Sequence, residues 1–187
     1  LSTLRRRLVS ISMVHRLKGH YLDTKHPIIV ENLMGIKRVK GSIQKGKKPI
    51  LINHLKLIIN VINEQKTEEI KKLRDKSIIL IGVGGGCRRT ELISINHEDL
   101  EFVPEGLKIN IKRSKTHQFG EGMTKGLPYF DNEIYCPVTN LKKWLGISKI
   151  KSGPIFRRFS KGLSLTDKRL TDQSVVLLIK KYLNLAG

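Results

Sequence analysis

Residues recur at helical spacing through 1–19, at Leu1, Leu4, Leu8, Ile11, Val14 (or His15) and Leu17, which predicts a helix with Ser2 or Thr3 as its cap. "GHYLDTKHP" reads as a connector, and "IIVENLMGIKRVK" after Pro27 as a second helix. "GSIQKGKKP", residues 41–49, is polar, carries glycine and lysine, and ends in proline; these are linker features, and they set a boundary there. "LINHLKLIINVINEQ" predicts a helix with Asn53 as a candidate cap. "TEEIKKLRDK" opens another, with Thr67 followed by acidic residues. The run "SIILIGVG" has no period that separates a buried strand from a buried helix. "RRTELISI" predicts a short helix, and "LEFVPEGLKINIKRS" alternates around "PEG" as a β-hairpin does. "MTKGLPYF" is a candidate third strand. "CPVTNLKKWLGI" is a helix with Pro137 in its first turn, and "LTDQSVVLLIKKYLNLAG" a last one capped by Thr171 or Asp172. The expected class is mainly α with a small antiparallel hairpin or three-stranded sheet, an α+β arrangement.

Charge adds a partner to this picture. Of 187 residues, 36 are Lys or Arg and 16 Asp or Glu, for a net charge of +20. Residues 1–50 carry 12 basic and 2 acidic side chains, residues 51–140 carry 13 and 12, and residues 141–187 carry 11 and 2. Two basic regions flank a nearly neutral middle. A polyanion is the natural partner, and duplex nucleic acid suits it best: aromatic residues are only 5%, too few for stacking on single strands. Nothing resembles an interfacial or membrane-spanning helix, and no secretory signal stands at residues 1–20. Cys87 and Cys136 are isolated, which fits a reduced cytoplasmic protein, and no metal or cofactor is expected.

"SIILIGVGGGCRRTEL", residues 77–92, places four glycines in five positions. It is not a Walker loop, since no Lys-Ser or Lys-Thr stands at the required spacing. It is not a dinucleotide fingerprint either, since Cys87 stands where the last glycine belongs. The remaining reading is close packing, in which small residues let another element approach the backbone.

The residues after the glycines carry a resemblance. "GCRRTEL", then a hairpin, then "KRSKTH" resembles the tyrosine recombinases, the phage integrase and Xer family. The resemblance implies that residues 72–87 are helix. It implies a partial recombinase catalytic domain at 50–187, preceded at 1–40 by the last helices of a DNA-gripping core-binding domain, with 41–49 as linker. Such enzymes cut one DNA strand by attack of a tyrosine hydroxyl, form a 3′-phosphotyrosine and need no ATP. Arg88 is the implied clamp on the transition-state phosphate, Lys115 the general acid for the leaving oxygen, and Glu91 the group that orients the arginine. Taken without the resemblance, Arg88 and Glu91 read equally as an i, i+3 ion pair, and the doublet leaves Arg89 as the alternative clamp. The candidate DNA contacts are Arg5, Arg6, Arg7, Arg16, Lys37, Arg38, Lys45, Lys47, Lys48, Arg89 and Arg113. The family assembles as a homo-tetramer on DNA, and double-stranded DNA is the expected partner.

One part of the pattern is missing. The family needs His-x-x-Arg and then the tyrosine, and none of the histidines at 15, 20, 26, 54, 97 and 117 is followed by Arg three residues later. Tyr21, Tyr129, Tyr135 and Tyr182 follow no such box. The chain also begins at Leu1. The expectation is the front two-thirds of a recombinase, which binds DNA and does not cut it.

Overall fold

The computed structural model describes residues 1–43, 46, 51–112 and 122–187. Its contacts divide the chain into two units, Leu1–Pro49 and Ile50–Gly187. The first holds two helices, α1 (Ser2–Leu17) and α2 (Pro27–Lys40), and no residue of either is buried. Leu1, not Ser2 or Thr3, stands at the start of α1, and no side chain caps it. Pro27 opens α2, its fixed φ and missing N–H suiting a first turn.

The second unit is built around one helix. It contains α3 (Ile52–Glu64), α4 (Glu69–Gly84), α5 (Arg89–Ser94), a 3-10 turn (His97–Asp99), α6 (Pro137–Ser148) and α7 (Asp172–Leu185). Strands β1 (Leu100–Val103), β2 (Gly106–Ile111) and β3 (Met123–Pro128) form an antiparallel sheet in that order, and β4 (Arg157–Phe159) pairs with β5 (Leu165–Arg169). The fold is thus mainly helical with small antiparallel sheets.

Residues 73–81 of α4 are buried on every side, which is why "SIILI", residues 77–81, shows no amphipathic period: each face meets protein. α6 packs along it through Val138, Leu141 and Trp144, all fully buried, and the Trp144 indole N–H donates to the Ile155 carbonyl at 2.9 Å. α3 and α7 supply Ile58, Ile59 and Ile62, and Val175, Leu178 and Tyr182. Leu107, Ile109 and Ile111 alternate inward on β2. β3 runs so close to Gly106, the first residue of β2, that a Cβ there would stand 2.0 Å from the Leu127 carbonyl oxygen.

Several caps differ from expectation. Asn53 lies inside α3, and His54 Nδ1 accepts the Leu51 N–H at 3.3 Å. Glu68, not Thr67, borders α4; of the two caps expected for α7, Thr171 is the one present, accepting the Ser174 N–H at 3.2 Å. Helix α4 stops at Gly84, three residues before the expected 87. The Gly86 N–H turns back to the Val83 carbonyl at 3.1 Å and the Cys87 N–H to the Gly82 carbonyl at 2.9 Å, with Gly86 at φ 53°. That is a glycine-terminated helix end, and its left-handed residue favours glycine. The β4–β5 hairpin has no counterpart in the hydrophobic pattern, because "RRF" and "LTDKR" are too short and too basic to alternate.

A buried polar cluster ties the two ends of this unit's sequence together. The Tyr182 hydroxyl on α7 donates to Asp75 Oδ2 at 2.8 Å, while Arg74 Nε and Nη2 donate to Asp75 Oδ1 at 2.9 and 2.7 Å. Arg74 Nη1 reaches the Arg157 carbonyl at 3.1 Å, and its guanidinium stacks 4.5 Å from the centre of the Phe159 ring. Replacing Tyr182 by Phe keeps the ring and removes one donor to a buried carboxylate. The expected cost is about 1–2 kcal/mol, read as a thermal midpoint lowered by a few degrees in a calorimetric scan.

Candidate active site

The turn between α4 and α5 presents Arg88, and the glycines before it shape that turn. An added Cβ at Gly82 would meet Leu92 of α5 at 3.2 Å, and one at Gly84 would meet Leu127 of β3 at 3.1 Å. The glycines therefore bring α5 and the sheet close to the end of α4, as the close-packing reading requires, and hold no nucleotide loop.

Helix α5 has six residues, too few to persist by itself, so its neighbours hold it. At its start the Glu91 carboxylate accepts the Arg88 backbone N–H at Oε2, 3.0 Å, which closes an N-terminal cap. Arg88 Nη1 donates to Glu91 Oε1 at 2.7 Å. The Arg88 side chain is 47% exposed and that of Glu91 only 2%. At its far end Arg169 of β5 donates to the carbonyls of Ile93 and Ile95 and, at 2.6 Å, to Asn96 Oδ1. A cation on these last carbonyls suits the negative end of the helix.

Lys125 completes the cluster. Its Nζ lies 3.3 Å from Glu91 Oε2 and 2.9 Å from each of the Gly85 and Gly86 carbonyl oxygens. It pairs with Ile109 across β2–β3, so it shares the sheet face on which Ile109 is buried. In "MTKGLP" the period of two puts a lysine between Met123 and Leu127 on the inward face. Lys125 is not among the candidates expected from the sequence, and that lone charge at an apolar position is the signal that marks it.

Burial by itself would raise the Glu91 carboxyl pKa. The hydrogen bonds from the Arg88 backbone and guanidinium and from Lys125 outweigh it and hold the group below its ordinary value. Glu91 is therefore a carboxylate at neutral pH, with a cation on either side. Burial pushes the neighbouring Cys87 thiol up, Glu91 adds to this, and the Lys125 charge opposes it.

The remaining candidates are spread out. Arg5, Arg6, Arg7 and Arg16 lie exposed on α1, and Lys37 and Arg38 exposed on the last turns of α2. Arg89 is the exposed first residue of α5. Lys45, Lys47, Lys48, Arg113 and Lys115 lie outside the described residues. Just past the end of β2, Lys112 Nζ stands 2.7 Å from the buried Asp99 carboxylate, which also accepts the Asn96 N–H at 2.9 Å.

Three tyrosines of the second unit have engaged hydroxyls. Tyr129 meets Lys142, Tyr135 donates to Asn60 at 3.1 Å, and Tyr182 donates to Asp75. Burial, and next the Asp75 charge, push the Tyr182 hydroxyl pKa upward, so it remains a neutral donor. Tyr21, in the first unit, is 90% exposed. Among the described residues no group of His, Cys, Asp and Glu is arranged to hold a metal ion, and no helix is long and apolar enough to cross a membrane.

No protein-family model matches the chain. A sequence relative does: an integrase/recombinase XerD homolog of Selenomonas ruminantium is 39% identical over 189 residues, covering 100% of this chain and 54% of that protein. The chain therefore spans about half the length of its relative. Among solved structures, XerH site-specific recombinase bound to a palindromic difH substrate, in its post-cleavage complex, aligns with 78% of this chain and 38% of its own. Its TM-score is 0.54 at 20% identity. The XerA recombinase aligns with 96% of this chain and 60% of its own, with TM-score 0.54 at 15% identity. These two share the fold. The likeness read from "GCRRTEL" and "KRSKTH" thus extends along the whole chain.

The buried carboxylate sets a pH signature. Glu91 titrates lower in the folded chain than in the unfolded one. Its stabilising contribution is present above the unfolded carboxyl pKa of about 4.3 and is lost as pH falls through the lower folded value. Glu91→Gln is expected to lower stability at pH 7 and to flatten the acid side of the stability profile below about pH 4.3, measured by denaturant unfolding across pH.

Proposed function

We propose that this chain, a relative of the tyrosine recombinases along all its residues, is the part of a site-specific DNA recombinase or integrase that grips duplex DNA and clamps the scissile phosphate. One observation carries the reading: a half-exposed arginine, on a turn fixed by helix and sheet, is held from behind by a buried carboxylate that a second cation shares. Residues 1–40 are read as the last helices of a core-binding domain, 41–49 as linker, and 50–187 as the first part of a catalytic domain.

The chemistry is that of phosphoryl transfer. A tyrosine hydroxyl attacks the phosphodiester, a 3′-phosphotyrosine forms, and the 5′-oxygen leaves with a proton. Negative charge builds on the non-bridging oxygens. The Arg88 guanidinium is planar, always charged and able to meet two of them, so it stabilises that state more than the ground state. Lys115 is assigned the proton for the leaving oxygen. Glu91 orients Arg88 through a guanidinium contact and a backbone contact at once, a grip that also fixes where the turn begins.

Binding is assigned to the basic residues Arg5, Arg6, Arg7, Arg16, Lys37, Arg38, Lys45, Lys47, Lys48, Arg89 and Arg113. With a net charge of +20, phosphate contacts and counterion release dominate affinity. A cytoplasmic setting fits the two free cysteines, Cys87 and Cys136. Assembly of four copies on paired sites is the arrangement that the reading implies. Within these 187 residues no histidine opens a His-x-x-Arg box, so this stretch by itself is expected to bind and not to cut. That same observation favours a second reading, a DNA-binding relic that keeps Arg88 and has no chemistry.

A nicked suicide duplex distinguishes them. It is incubated with this chain and with the longest open reading frame that contains it. A covalent protein–DNA band is expected from the longer form only, and Arg88→Ala in that form is expected to lower its yield at least roughly 100-fold, the scale of a lost transition-state contact. No band from either form, with salt-sensitive duplex binding retained, establishes the relic. A band from the 187-residue chain overturns the assignment of the nucleophile outside it, and the absence of duplex binding overturns both readings.

A further inference from the structure

An ammonium group has three protons to donate, and Lys125 directs its own at three oxygens of two neighbouring elements. Two are the Gly85 and Gly86 carbonyls at the end of α4, each at 2.9 Å, and the third is Glu91 Oε2 at 3.3 Å. The side chain is 12% exposed and stands on the inward face of β3. It is too enclosed to track a DNA backbone.

Its position matters for Arg88. A carboxylate as buried as Glu91 draws cations strongly, because little water competes for it. If Arg88 were the single cation present, its guanidinium would be drawn onto both carboxylate oxygens. Oε2 takes both the Arg88 backbone N–H, at 3.0 Å, and the Lys125 ammonium, at 3.3 Å; the guanidinium meets Glu91 at Oε1, and the Arg88 side chain is 47% exposed. The same ammonium also fixes the two carbonyls shortly before the arginine, at the helix end where a positive charge is favourable.

We propose that Lys125 is the positioning residue of the phosphate clamp: it shares the charge of Glu91 and pins the 85–88 turn, so that Arg88 keeps its contact at Oε1 and is presented toward a DNA phosphate instead of closing onto both carboxylate oxygens. This rests on the reading of Arg88 as that clamp. Lys125 acts through Arg88 and does not touch DNA.

The test uses the 187-residue chain with Arg88→Ala, Lys125→Met, Lys125→Arg and the Arg88→Ala/Lys125→Met double variant, below their thermal midpoints. Duplex affinity is measured by fluorescence anisotropy over a range of salt. The Arg88 side-chain N–H resonance is followed without DNA in nitrogen-15 arginine spectra. Arg88→Ala is expected to weaken binding about 10-fold. Lys125→Met should weaken it roughly 3- to 10-fold, and the double variant should bind no more weakly than Arg88→Ala, as for residues acting in series. Lys125→Arg should restore most of the affinity, and the Arg88 resonance should move in the Met variant and return in the Arg variant.

Additive losses, with a further drop of about 1 in the salt slope, overturn the proposal in favour of a direct phosphate contact. An Arg88 resonance unmoved by Lys125→Met also overturns it. Duplex affinity indifferent to Arg88→Ala, with the resonance still moved by Lys125→Met, overturns the clamp reading instead and upholds the setting of Arg88 by Lys125.

Discussion

A carboxylate enclosed between two cations organises this site. Glu91 is buried, and its oxygens are taken by the Arg88 backbone, the Arg88 guanidinium and the Lys125 ammonium. Such a charge is costly to enclose unless it is paired and fully hydrogen-bonded. Here the pairing joins three elements, α4, α5 and β3, at one point. Each element alone is a weak platform: α5 has six residues, β3 has six, and α4 ends in glycines. Held together, they present one guanidinium in a defined direction.

Helix α4 runs between two polar anchors. At its far end the glycines let Leu92 and Leu127 approach the backbone, and the Glu91 cluster locks what they bring together. Toward its start, Asp75 is shared by Arg74 and Tyr182, which ties α7 to the helix and, through the Arg157 carbonyl, to β4. Between them residues 76–81 are buried, with Trp144 of α6 fully buried in the same core. Polar contacts on either side of the apolar Ile78–Ile81 run give direction to packing that hydrophobic burial alone leaves non-specific.

The distribution of charge separates binding from positioning. The exposed arginines and lysines are placed where solvent and a polyanion have access, and their number sets affinity through counterion release. Lys125 and Arg169 have the same formal charge and a different task. Both face inward, both donate to backbone carbonyls beside α5, and neither adds to the outer basic surface as Arg5 or Lys37 does.

Much of this architecture was legible in the sequence. Helical spacing gave α1, α2, α3, α6 and α7, alternation gave the three-stranded sheet, and an i, i+3 spacing brought Arg88 to Glu91, because these features depend on residues near in sequence. Periodicity left the "SIILIGVG" half of α4 open, since residues 77–81 are buried on every face and no polar side marks them. It also missed the β4–β5 hairpin, whose basic residues act through distant partners. Lys125 lies 34 residues from Glu91, and Arg169 lies 73 from Asn96. No local rule relates residues so far apart. Only the folded sheet face, with its two-residue period directed at the end of α4, decided that a lysine in "MTKGLP" would close the site.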